Sequence, residues 1–187
     1  MAASTEAPRT EGDSALLVSI SEAEPVVGAL RLAHDPVASE GVPAHVTVLY
    51  PFVPRDELTS DERVAVAEVF GAIPAFDYRF EQVRRFGSTT VYLVPEPAAP
   101  FARLTEATHA RWPQYPPYGG AFDAVIPHLT VADGLEGPAV DALEEAARSA
   151  LSHYGPIVGR AAEVTLITWD PMERWSVDST YPLAEQR

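Results

Sequence analysis

Two short segments of this chain, Pro43-Ala44-His45-Val46-Thr47-Val48 and Pro127-His128-Leu129-Thr130-Val131, carry the same His-x-Thr-aliphatic pattern about half the chain apart. A pattern recurring at that distance implies a duplicated unit, which constrains the fold more than any other feature. The elements around each motif agree. Residues 15–20 (ALLVSI) read as an apolar strand, and Ser21 with Glu24 as a capping box opening a helix. Val26, Val27, Leu30 and Ala33 stripe that helix to about residue 34. The first motif strand spans 45–52 and is stopped by Pro51 and Pro54. Thr59 and Glu62 cap the next helix, which turns Val66, Val69, Phe70 and Ile73 to one side. Strands follow at 76–86 and 89–94, turning at Gly87-Ser88.

The second half repeats the order. Pro100 suits the first turn of a helix carrying Phe101, Leu104 and Thr108. After the loop 114–122 (QYPPYGGAF) come the second motif strand, 128–132, and a helix over 138–152 with Val140, Leu143, Ala147 and Leu151 inward. Strands at 164–169 and 175–182 close the chain. Residues 1–13 read as a disordered tail, and 14–187 as one domain.

Side chains alternate along a strand, so His45 and Thr47 share one face, as do His128 and Thr130. Each pair spans about 6.5–7 Å, a reach suited to gripping a phosphate. Two such strands related by a pseudo-twofold place two imidazoles on opposite sides of one phosphorus. One neutral histidine then takes a proton from the nucleophile, and one protonated histidine gives a proton to the leaving oxygen. The hydroxyls and nearby donors can stabilise the phosphoryl charge, so the chemistry needs no metal and no cofactor.

Composition narrows the partners. Acidic residues number 27 against 13 basic ones, all arginine, for a net charge of −14. That opposes long duplex nucleic acid, which is held by neutralising phosphates, but leaves a small nucleotide or an RNA end as substrate. There is no cysteine, and so no thiol nucleophile or disulfide scaffold. No apolar run is long enough for a transmembrane helix, and the first dozen residues lack the apolar core of a signal peptide. The expectation is a cytoplasmic monomer without membrane contact.

The paired motifs, with the segments HVTVLYPF and IPHLTVAD, resemble those of the 2H phosphoesterase superfamily, which includes the 2′-5′ RNA ligase family and cyclic nucleotide phosphodiesterases. The resemblance extends over residues 15–183. It implies an α+β fold of two lobes, with antiparallel sheets and flanking helices around a central cleft. It also implies that His45 and His128 are the catalytic pair, with Thr47 and Thr130 as phosphate-contacting hydroxyls. The activity so implied is a metal-independent phosphodiesterase opening 2′,3′-cyclic or 2′-5′ linked phosphates. Reversible 2′-5′ ligation of RNA ends uses the same residues in reverse, although the chain lacks the basic stripes of relatives acting on structured RNA. The rival of a different class is a catalytically idle nucleotide-binding module. Which histidine is acid and which is base stays open.

Other side chains are candidates for a substrate wall. Phe86 and Tyr92 flank a turn and suit either base stacking or packing. Tyr115 and Tyr118, in a Pro/Gly-rich loop, suit either a lid or a rigid connection. Trp169 and Trp175 read as core or lobe-interface residues, and His34, His109 and His153 as surface or capping residues. Of Arg84 and Arg85, adjacent on a strand, at most one faces a cleft, and a solvated face is the simpler expectation. His34, Asp35 and Asp133 supply no three-ligand metal pattern.

Overall fold

In the computed structural model, which describes residues 12–122, 124–170 and 172–185, two four-stranded antiparallel sheets are built, and neither comes from one half of the chain. The first sheet runs in the order β2 (His45–Leu49), β1 (Ser14–Ser19), β7 (Glu163–Asp170), β8 (Arg174–Pro182). The second runs β5 (Leu129–Ala132), β4 (Thr90–Glu96), β3 (Phe76–Phe86), β6 (Ile157–Ala161). The last two strands thus return to the sheet of the first motif, while β3 crosses into the sheet of the second.

The helices are exchanged as well. Helix α1 (Glu24–His34) lies in sequence between β1 and β2, yet it packs on β5 and on α5 (Pro138–Tyr154) in the other lobe. Conversely α4 (Ala99–Arg111), which connects β4 to β5, packs on β2. Helix α3 (Ser60–Gly71) lies against β8, and the single turn α2 (Pro36–Ser39) follows α1. One continuous core joins both sheets, with Phe52, Phe70, Phe80, Phe101 and Trp112 at its centre. Burying each such side chain stabilises the fold by about 1.5–3 kcal/mol. The motif strands β2 and β5 are the edge strands of their sheets, and they touch across the lobe boundary.

Several elements depart from the expected ones. Beyond Leu49 the chain leaves the sheet, although Phe52 and Val53 stay buried. His128 stands just before β5 rather than inside it. Strand β6 was not anticipated from its short sequence IVGRA, which contains a glycine. That glycine is required where it is, because a Cβ at Gly159 would collide with the Tyr78 hydroxyl. Gly12 and Asp13 are bonded to Trp169 through the backbone rather than belonging to a tail. The rest of the expected tail, residues 1–11, lies outside the described residues.

Helix α1 differs most from its reading. The capping box does not form: the N-cap is Ala23, with no side-chain cap, and Glu24 bonds elsewhere. Its buried residues are Val27 and Arg31, following Ala23, while Ala33 is exposed. An arginine occupies an inward position, a placement that requires a partner. At α3 the cap does form, with Thr59 accepting from the Glu62 amide at 3.2 Å, while the Glu62 carboxylate accepts from Trp112 Nε1 instead.

Candidate functional site

Each motif histidine is held by the same local bond. His45 Nδ1 bonds the Pro43 carbonyl at 2.8 Å, and His128 Nδ1 bonds the Ile126 carbonyl at 2.7 Å, in both cases two residues back. A carbonyl can only accept, so Nδ1 carries the proton in the neutral ring and Nε2 is left with its lone pair. Both imidazoles are half-buried, as are Thr47 and Thr130.

Register places each motif on the sheet face opposite the main core. In the first sheet Ser19 pairs with His45 and Leu17 with Thr47, so these four side chains share a face. Further along that face lies a small second cluster of Ala15, Leu17, Val42, Ile167 and Trp175, flanked by Tyr50 and Trp169. In the second sheet Thr130 pairs with Tyr92, and Tyr92 in turn with Arg84. A bulge between Phe80 and Gln82 shifts the alternation of β3, so Phe86 and Arg84 join Tyr92 on the His128 side. Arg85 points the other way and pairs with Asp141 and Glu144 on α5. Of the two arginines only Arg84 thus lies on the sheet face of Tyr92, where it is exposed and donates to Gln82, as the simpler expectation of a solvated face has it.

The wall candidates are distributed unevenly. Phe86 and Tyr92 stack on each other, centroids 4.0 Å apart, and both meet the His128 ring edge-on at 4.9 and 5.5 Å. Tyr92 is 6% exposed, so of the pair it is Phe86 that presents surface. Tyr115 packs against Phe52 and donates its hydroxyl to Glu57 at 3.2 Å, part of the core margin. The backbone amide of Tyr118 donates to the Tyr50 carbonyl at 2.6 Å, and this residue adopts the left-handed conformation at φ 52°. That bond ties the 114–122 loop to the end of the first motif strand. His109 is partly buried rather than on the surface.

The sequence reading missed Arg31. Only 2% exposed, it donates from Nε to the Thr130 carbonyl at 3.0 Å and from Nη2 to Asp35 at 2.8 Å. The signal was legible in principle, since residue 31 lies four positions after Val27 on the inward stripe. Burial pushes the Asp35 carboxyl up while the Arg31 guanidinium holds it down, so the pair is a buried charge compensated in place.

Electrostatics separate the two histidines. Burial first, and the Arg31 charge second, push the His45 imidazole down to about 3, with His128 contributing in the same direction. Burial also lowers His128, but its carbonyl partner and the Asp133 carboxylate act against it. Asp133 is fixed by Thr90, whose hydroxyl donates to it at 2.5 Å. Among the described residues no three metal-ligating side chains converge, and the Asp35 carboxylate considered for such a role is occupied by Arg31.

A cavity of about 860 Å³ lies elsewhere, between β3 and α5. It contains no histidine, and its charges neutralise one another through the Arg85–Glu144 and Arg148–Glu144 pairs. The two motif histidines lie away from it, at the contacting edge strands β2 and β5, and these form the candidate site.

Comparison with known proteins agrees with this architecture. The family model described as the 2′-5′ RNA ligase superfamily matches residues 18–172. E. coli LigT, solved in complex with 3′-AMP, is 14% identical, with 93% of this chain and 99% of that chain covered and a TM-score of 0.58. TT0787 of Thermus thermophilus is 19% identical, with 94% and 100% covered and a TM-score of 0.59. At such identities the solved structures show a shared fold. No curated protein matches the sequence.

Proposed function

The chain belongs to the 2′-5′ RNA ligase superfamily, the 2H phosphoesterases, and on that premise we propose that it hydrolyses 2′,3′-cyclic or 2′-5′ linked phosphates of small nucleotides or RNA ends. The observation carrying this reading is the matched pair of Nδ1–carbonyl bonds, which leaves two Nε2 atoms and two threonine hydroxyls on strands in contact.

In this mechanism Nε2 of His45 accepts a proton from a water as its oxygen attacks phosphorus. The bond from phosphorus to one ribose oxygen breaks, and His128, protonated at Nε2, delivers its proton to that oxygen. The product is a phosphomonoester from a cyclic substrate, and the two histidines exchange protonation states before solvent restores them. The assignment follows the charges: Arg31 disfavours a proton on His45, and Asp133 favours one on His128. Thr47 and Thr130 hold the non-bridging oxygens through the substitution. Phe86 offers a stacking surface beside His128 for a base. That LigT was solved with 3′-AMP supports a nucleotide-sized ligand, and the net charge of −14 favours short substrates over long polyanions.

The test is a panel of 2′,3′-cyclic mononucleotides and 2′-5′ dinucleotides assayed in EDTA. Turnover lost in His45→Ala and in His128→Ala is expected. Binding without turnover would establish the idle module instead. Joining of RNA ends by the same two histidines would favour the ligase reading.

A further inference from the structure

We propose that the row Glu24–Gly28–Arg31 on α1, with Asp35 at its C-cap, is a positioning strut that sets the two motif strands, and so the two imidazoles, against each other; the inference rests on the two-histidine reading above. Residues four, seven and eleven apart lie along one side of a helix, so these four form a continuous row. At the N-terminal end Glu24 Oε1 accepts from the Ala44 amide at 2.6 Å, immediately before His45. The Ala44 carbonyl accepts from the Ile20 amide at 2.7 Å, so the segment entering α1 holds both backbone groups of that residue. At the C-terminal end Arg31 Nε donates to the Thr130 carbonyl at 3.0 Å, and the His34 carbonyl accepts from the Asp133 amide at 3.0 Å. Arg31 Nη1 also lies 3.9 Å from Glu24 Oε1, which links the two ends.

The row therefore bonds the backbone of both motif segments from one rigid element. Each motif strand is an edge strand, with outward backbone groups that no neighbouring strand satisfies, and α1 supplies partners for the Thr130 carbonyl of β5 and for the Ala44 amide just before β2. The charged groups acting on His45 are Arg31 from α1 and His128 from the residue just before β5. Helix α4 meets β2 through the apolar core of Val46, Val48, Phe101 and Leu104.

Gly28 makes the idea testable. A glycine inside a helix is unfavourable, yet a Cβ at residue 28 would lie 2.6 Å from Glu24 Oε2. A side chain there would press on the Glu24 carboxylate in the conformation that reaches Ala44, and the carboxylate would have to shift. An alanine there should improve the helix while displacing the carboxylate, which separates positioning from stability.

We expect Gly28→Ala to keep or raise Tm while kcat on a 2′,3′-cyclic nucleotide falls about tenfold to a hundredfold at little-changed KM. Glu24→Ala should lose as much, Glu24→Gln, which keeps an acceptor, should recover most of it, and the Gly28→Ala/Glu24→Ala pair should lose no more than either alone. The His45 ring resonances, read by NMR, should shift in Gly28→Ala whether or not turnover is measurable. If the wild type shows no histidine-dependent turnover, the functional reading fails, and those resonances alone decide the strut. Unchanged kcat together with unchanged His45 resonances in Gly28→Ala would overturn it.

Discussion

The two motif strands begin from almost the same tetrad and end in different surroundings. His45 opens β2 beside a buried cation, with Leu17 and Ser19 on its face. His128 precedes β5, rests edge-on against the Phe86–Tyr92 stack, and feels a carboxylate in Asp133. Local backbone geometry is repeated, down to the Nδ1 bond two residues back. What differs comes from elsewhere in the chain: Arg31 from α1, Phe86 from the far end of β3. Duplication thus supplies two imidazoles held alike, and the exchanged helices and strands give them unequal surroundings, the asymmetry on which the proposed division into base and acid rests.

The comparison is broken most severely by removing either histidine. His45→Ala and His128→Ala should each lower kcat by about 10²–10⁴, and the double variant should lose less than the product, because the pair acts as a unit. A folded His128→Ala protein with near-wild-type turnover would falsify the division of labour.

The pH profile sharpens it. Both histidines are held below their ordinary value, so kcat/KM should peak on the acid side of pH 6.5. Above the alkaline limb it should fall about tenfold per pH unit as the acid loses its proton. The limbs belong to the coupled pair. Stability follows the same sign. Between pH 6.5 and about 3 the unfolded chain takes up a proton that folded His45 refuses, so stability should decline as pH drops through that window. An optimum above pH 7 would contradict both assignments.

Thr47→Val and Thr130→Val remove one hydroxyl each at nearly constant volume and should cost about ten- to a hundredfold in kcat/KM, the range of a hydrogen bond to a charged group. Equal losses would mark the phosphate as held symmetrically. Loss confined to one would place it nearer that strand. Phe86→Leu should raise KM for a cyclic mononucleotide about fivefold or more, as loss of a stacking face does, whereas Val42→Ala in the cluster on the other lobe should leave KM close to wild type. The smallest expected effect is that of a chelator: EDTA should leave the rate unchanged, and activity restored only by a divalent cation would replace the two-histidine scheme.

Most strands and helices were legible because they obey simple periods. Phe76, Tyr78 and Phe80 alternate inward along β3, and Val140, Leu143, Ala147 and Leu151 recur at helical spacing in α5, these last four buried as expected. Helix α1 was the hardest to read. Its capping-box pattern was real in sequence, but the Glu24 carboxylate found a better partner in the Ala44 amide, twenty residues on. Its glycine costs about 1 kcal/mol against alanine by helix propensity alone. Its inward arginine broke the apolar stripe, because the groups that compensate it, Asp35 and the Thr130 carbonyl, come from the next turn and from the other lobe.

The sequence by itself determined the repeated unit, the α+β class, and the two His-x-Thr pairs with the shared side of each His and Thr, since alternation and helical period are local properties of the backbone. It also carried the charge that argues against long polyanions. Only the tertiary structure decided that each half lends strands and a helix to the other, that Arg84 and not Arg85 shares the His128 face, and that Arg31 lies beneath Thr130. These depend on sheet order, on one bulge, and on contacts between residues distant in sequence. No local pattern encodes such contacts, because their free energy exists only once both partners have been brought together.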